Sequence, residues 1–138
     1  MAMRHFKDNT GAVWGYDADQ PALIAKAQDA GWQEIQVWPL PKTPAEIYAE
    51  TLAEMTASVQ SYLDDTARTR NYDGILSLCS YAASVHPTFG AEGLAGVAWR
   101  DAVWAACYAI LADVQAGQRA VPTEAELLAG LPVMVWPV

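Results

Sequence analysis

Three prolines fall within six residues, Pro39-Leu-Pro-Lys-Thr-Pro44, and neither a helix nor a sheet ladder runs through such a segment. Each ring fixes φ, removes an amide donor and disfavours helix in the residue before it, so the stretch is held extended. It divides the chain into a short part, residues 1–38, a linker, 39–44, and a longer part, 45–138. Charge divides at the same place. Residues 1–42 carry four basic and five acidic side chains, whereas 43–138 carry four arginines, no lysine and eleven acids. The formal charge of −8 and the 53% hydrophobic content describe an acidic, core-forming chain. Phosphate backbones and anionic lipid need a positive footprint, so neither nucleic acid nor a membrane surface is an expected partner.

The short part reads as a β-β-α-β head. Met3–Lys7 and Ala12–Tyr16 are aromatic or β-branched, and Asp8-Asn-Thr-Gly11 between them suits a tight turn. Asp19 is expected to cap a helix carrying Pro21 in its first turn and Leu23, Ile24 and Ala27 on its apolar side. Gly31 ends it, and Trp32–Trp38 reads as a strand returning to the hairpin. About 36 residues are too few to be stable without help, so the unit is expected to dock on something.

The long part reads as a helical bundle of two long and two short helices, making the whole chain α+β and mainly α. Thr43-Pro-Ala-Glu46 has the form of a capping box. The helix after it repeats Tyr48, Leu52, Met55, Val59 and Tyr62 at steps of four and three. Asp73 is the expected cap of a short helix over 75–84, and Thr88 of a third helix over about 89–115 that stops at Gly117. Leu94, Val97, Trp104, Leu111 and Val114 form the expected inward stripe of that helix. Gly90, Gly93 and Gly96 either weaken its start or permit a close crossing. Thr123-Glu-Ala-Glu126 is a second capping box, followed by the apolar tail Leu131–Val138. The apolar run Ala102–Ala112 is too short to span a bilayer, and Met1–Asp8 is no signal peptide.

No catalytic constellation, cofactor fingerprint or metal-ligand spacing stands out, and the chain is not expected to be an enzyme. His5 and His86 lack an orienting acid nearby in sequence, Ser77 and Ser80 lack a nucleophile elbow, and adjacent Asp64 and Asp65 diverge on a helix. Cys79 and Cys107 read as two buried thiols. Two polar features need explanation. Trp99-Arg-Asp101 with Trp104 puts an acid on an apolar stripe, and an arginine such as Arg68 or Arg70, or a buried amide, is its expected partner unless it meets another protein. Six tryptophans are many for this length, with Trp14, Trp32 and Trp38 in the head and Trp136 in the tail. With Tyr16, these four are the candidate partner-binding residues, since indoles favour interfaces. Covering the protein's own helical body would occupy the same rings.

Three stretches, Tyr62-Leu-Asp-Asp-Thr-Ala-Arg68, Tyr72-Asp-Gly-Ile-Leu-Ser-Leu-Cys-Ser-Tyr81 and Val97-Ala-Trp-Arg-Asp-Ala-Val-Trp104, go with the close Pro122–Pro132 and Trp136-Pro137. Together they resemble small proteins of tailed bacteriophages and prophages encoded beside tail-fibre genes. Arg4–Asp8 through Val13–Asp17 is similar to the start of phage tail-fibre assembly proteins. The resemblance covers roughly residues 4–17 and 60–137. It implies a chaperone or accessory protein that binds the tail fibre near its C-terminal region, working in the host cytoplasm during assembly. It carries no catalytic residues over. A permanent component of the tail or fibre tip is the alternative, and an acidic regulatory or toxin-neutralising binder is a further one. Dimerisation of the helical body stays open, as does whether Met1 or Met3 is the start.

Overall fold

Asp8 closes the first turn of the chain, accepting hydrogen bonds from Thr10 N, Thr10 Oγ1 and Ala12 N at 2.6–2.9 Å, while Gly11 takes φ of +90°. In the computed structural model, which describes residues 3–35 and 41–138, this turn joins β1 (Met3–Lys7) to β2 (Val13–Asp17). Helix α1 (Pro21–Asp29) and β3 (Gln33–Ile35) follow, giving an antiparallel sheet of order β2-β1-β3. The N-cap of α1 is Gln20 rather than Asp19, and no side chain caps it. Pro21 at the first helical position has no amide to satisfy, which lowers the need for one. Gly31 adopts the left-handed φ of +72° that a helix stop favours. The expected strand is seen over Gln33–Ile35; its continuation to Trp38 lies outside the described residues.

Two compact units divide the chain, Met1–Ile47 and Tyr48–Val138, with the division in the first turn of α2 (Pro44–Arg68). In the first unit, Phe6 of β1 is fully buried against Ile24 and Ala27 of α1. The capping box at the start of α2 forms as read, with Glu46 accepting from Thr43 N at 2.7 Å and Thr43 Oγ1 accepting from Glu46 N.

The second unit contains the rest of α2, then α3 (Ile75–Ser80) with a 3-10 turn (Tyr81–Ala83), α4 (Pro87–Gln115) and α5 (Glu124–Ala129). Its core is Val59, Leu63 and Ala67 of α2, Ile75 and Leu78 of α3, Trp99 and Val103 of α4, Leu127 of α5, and Leu131 and Met134 of the tail. Asn71 ends α2 at φ +66°, a conformation asparagine tolerates. Asp73 does not cap α3. Asp64, one helix earlier, does so by accepting from Ile75 N at 2.9 Å, which ties α2 to α3. Nor does Thr88 cap α4: His86 is the N-cap, its Nδ1 facing Phe89 N at 3.5 Å, with Pro87 as the first helical residue.

Of the expected α2 stripe, Val59 is buried and Met55 and Tyr62 pack half-buried against the core, whereas α4 buries a different stripe from the one its spacing suggests. On α2 the buried residues are Val59, Leu63 and Ala67, while Tyr48 and Leu52 are exposed. A straight helix drifts about 20° per heptad from a 3.5-residue repeat, so the seam moves along it. On α4 the buried residues are Gly90, Glu92, Gly93, Gly96, Trp99 and Val103, while Leu94 is exposed and Val97, Trp104, Leu111 and Val114 are half-buried. That helix is apolar nearly all round, so periodicity does not select its inner face; glycine does. A Cβ built on Gly93 would lie 2.3 Å from Ala82 N and 2.4 Å from Tyr81 C, and one on Gly96 would meet Leu78 Cγ at 2.6 Å. The three glycines let the 3-10 turn and α3 approach the α4 backbone directly.

Gly93→Ala gains about 1 kcal/mol of helix propensity and incurs about 3 kcal/mol of overpacking against main-chain atoms. A net loss of about 2 kcal/mol is expected, lowering the midpoint of thermal unfolding by roughly 6–8 °C. Calorimetry of the variant measures it.

Candidate functional site

In the head, the β1–β2 register pairs Phe6 with Trp14 and Arg4 with Tyr16, so these four share the face that α1 covers. Tyr16 is half-buried, its ring tilted against Phe6 at 6.2 Å. Trp14 stacks on Trp32 with centroids 6.1 Å apart and planes at 27°, and its Nε1 donates to Asp8 Oδ2 at 3.0 Å. Arg4 lies 5.6 Å above the Phe6 ring and holds Glu34 through two hydrogen bonds of 2.7 Å. Of the three candidate aromatics here, Tyr16 and Trp32 pack against the small core and Trp14 stacks on Trp32. Trp14 alone of the three is exposed, at 48%. Trp38 lies outside the described residues. Among those residues β2 pairs only with β1, leaving the other side of β2 as a sheet edge beside the Trp14 indole.

The tail tryptophan is engaged differently. Trp136 lies under the Arg70 guanidinium, 5.0 Å from ring centroid to Cζ, and packs on the helical core. The tail is further held at Pro132 O, which accepts from Trp99 Nε1 at 2.7 Å and Tyr62 Oη at 3.5 Å. Leu131 and Met134 are buried while Val133 and Val135 face outward.

The acid that the body buries is not the expected one. Asp101 is exposed, and its partner is neither Arg68 nor Arg70. Its neighbour Arg100 donates to Asp101 Oδ1 from Nε at 3.0 Å and Nη2 at 2.8 Å. Glu92 is the buried carboxylate, at 7% exposure. It accepts from Arg70 Nη1 at 3.0 Å and Tyr72 Oη at 2.6 Å. Its sequence signal was its phase: positions 92, 96, 99 and 103 are also spaced four, three and four. Trp99 is buried edge-on to Tyr62, and Trp104 is half-buried against the core. Arg68 instead pairs with Asp65 and bonds Asp73 O.

Two open grooves flank α2. One of about 560 Å³ runs past Ser58, Ser61, Asp65, Thr66 and Glu124, and one of about 450 Å³ past Asp64, Arg68, Asp73 and Ser77. Among the described residues no three His, Cys, Asp or Glu side chains gather to hold a metal ion. Cys79 and Cys107 are free and half-buried rather than fully enclosed, and burial pushes both thiols up. The geometry offers apolar and main-chain contact surfaces, with the edge beside Trp14 the most distinctive. No family model, characterised protein or solved structure matches the chain.

Hydrogen bonds from Thr10 and Trp14 hold the Asp8 carboxyl down to about 2, from an ordinary value of 3.8. A lowered folded-state value stabilises the turn above pH 3.8 and withdraws that stabilisation as pH falls through about 2. Thr10 and Ala12 amide shifts in NMR are expected to titrate near pH 2, and Asp8→Ala removes the transition. Tyr72 behaves oppositely. Burial, then the hydrogen bond to Glu92, push it from 10 up to about 12. The neutral phenol's contribution is whole below pH 10 and is lost between pH 10 and about 12. Glu92→Gln is expected to lower the last tyrosine step in an ultraviolet titration.

Proposed function

We propose that the protein is a helper or accessory component of a phage tail fibre and that its head is the docking unit. The reading is supported by the likeness of residues 4–17 and 60–137 to tail-fibre-associated proteins. The observation that carries it is the β2 edge beside a half-exposed Trp14. Fibres are β-rich trimers whose long-range strand pairing is slow and leaves edges open during folding. An extended fibre segment adding to the β2 edge would gain main-chain hydrogen bonds, with Trp14 gripping a side chain of that segment. Trp136 is already occupied by Arg70, which favours the head over the tail as the contact. The charge division agrees with this, because the head is near neutral and the body carries most of the acid.

Co-expression with a phage tail-fibre protein, chosen from the neighbouring genes, tests the proposal. The fibre is expected to reach a higher soluble yield as trimer and to co-purify with this chain. Trp14→Ala should weaken capture at least tenfold, the loss typical of an interface anchor of about 2 kcal/mol. A fibre that trimerises equally well alone and never co-purifies rejects it. Presence of the chain in purified particles distinguishes a permanent component from a transient chaperone.

A further inference from the structure

We propose that two copies of this chain associate through the outward face of α4, antiparallel, about a two-fold axis level with Val103. The inference is independent of the fibre reading. Helix α4 has 29 residues, and its most apolar window has a mean hydropathy of 1.2 with only 17% of it buried. By length and composition it could cross a membrane. A helix apolar on every side is normally enclosed, and here only the face carrying Glu92, Gly96, Trp99 and Val103 is.

The opposite face has its own order. Leu94, Ala98, Asp101, Ala105, Tyr108 and Ala112 follow one another at steps of four and three, which places them in one strip. All six are exposed, Leu94 at 61% and Tyr108 at 69%. Large and small alternate along the strip. When a second strip runs antiparallel, Leu94 falls opposite Ala112 of the second copy, Tyr108 opposite its Ala98, and Asp101 opposite its Ala105. Every large side chain then meets a methyl group, the knob-into-hole fit that close helix packing requires. A parallel pair in register would set Leu94 on Leu94, Tyr108 on Tyr108 and Asp101 on Asp101, crowding two layers and facing like charges in the third.

Charge selects the same occupant. Arg100 neutralises Asp101 within each copy, so the strip is neutral on a protein of net charge −8. Two acidic molecules meet there without acid facing acid, while a basic partner finds no excess of acid to recognise. A single-helix strip of six residues is smaller than the roughly 800 Å² per partner of a standard interface, so a dissociation constant in the micromolar range is expected.

Sedimentation equilibrium of the full chain tests this. A monomer–dimer equilibrium is expected, weakened at least tenfold by Ala98→Arg or Ala105→Arg. Both sites are exposed and arginine is a good helix former, so circular dichroism should hold, as should the thermal midpoint at concentrations well below the dissociation constant. In a Cys79→Ala, Cys107→Ala background, Leu94→Cys mixed with Ala112→Cys should oxidise to a mixed disulfide dimer, and neither should cross-link alone. A chain that stays monomeric to about 0.5 mM, a dimer indifferent to both arginines, or self-cross-linking of Leu94→Cys overturns the proposal. So does a monomer that floats with phosphatidylcholine vesicles, which would give the face to lipid.

Discussion

The approach of the Tyr81–Ala82 backbone to Gly93 governs the helical unit. With main-chain atoms where a Cβ would stand, α4 can be seated in only one rotation about its own axis. That rotation turns Trp99 and Val103 inward and Leu94, Asp101 and Tyr108 outward. An apolar helix has no strong preference of its own, and the glycines supply one. Their contribution is geometric more than energetic, since each weakens the helix intrinsically.

The same rotation buries Glu92, and the unit is arranged around its charge. The carboxylate draws Arg70 and Tyr72 from the two sides of the α2 stop, and Arg70 in turn covers Trp136. One buried acid thereby links the end of α2, the start of α4 and the last residues of the chain. Ion pairs in such places contribute little net stability but penalise alternatives that leave the charge unpaired.

Local chemistry was legible in the sequence wherever a single residue type decides the outcome. The hairpin turn, Pro21 at the start of α1, Gly31 at its end, and the capping boxes at Thr43 and Thr123 are all where the residues place them. So is the order of elements, an α+β chain with a three-stranded head and two long and two short helices. Rotation about α4 was not legible, because Leu94 and Trp99 are both large apolar residues and only tertiary contact separates them. Capping by Asp64 across a turn, and by His86 in place of Thr88, likewise depends on where a distant side chain arrives. Of the candidate residues, Trp14 and Trp32 were singled out for their type, but their stacking and the bond to Asp8 required the β1–β2 register.

Burial along the helix pair is uneven. On α2 nothing before Val59 is buried, and on α4 nothing after Val103 is. Beyond those points the helices still share a hydrogen bond from Gln115 Nε2 to Tyr48 Oη. Opening of that end exposes only half-buried contacts such as Met55, Cys107 and Ile110, whereas opening near Leu63 and Leu78 dismantles the enclosed core. Amide protons should record the difference as a gradient of exchange along each helix, fast by local fraying at one end and limited by global unfolding at the other. The two long helices are thus each continuous in geometry but uneven in burial, with one half that carries the enclosed core and one half that packs beside it partly exposed.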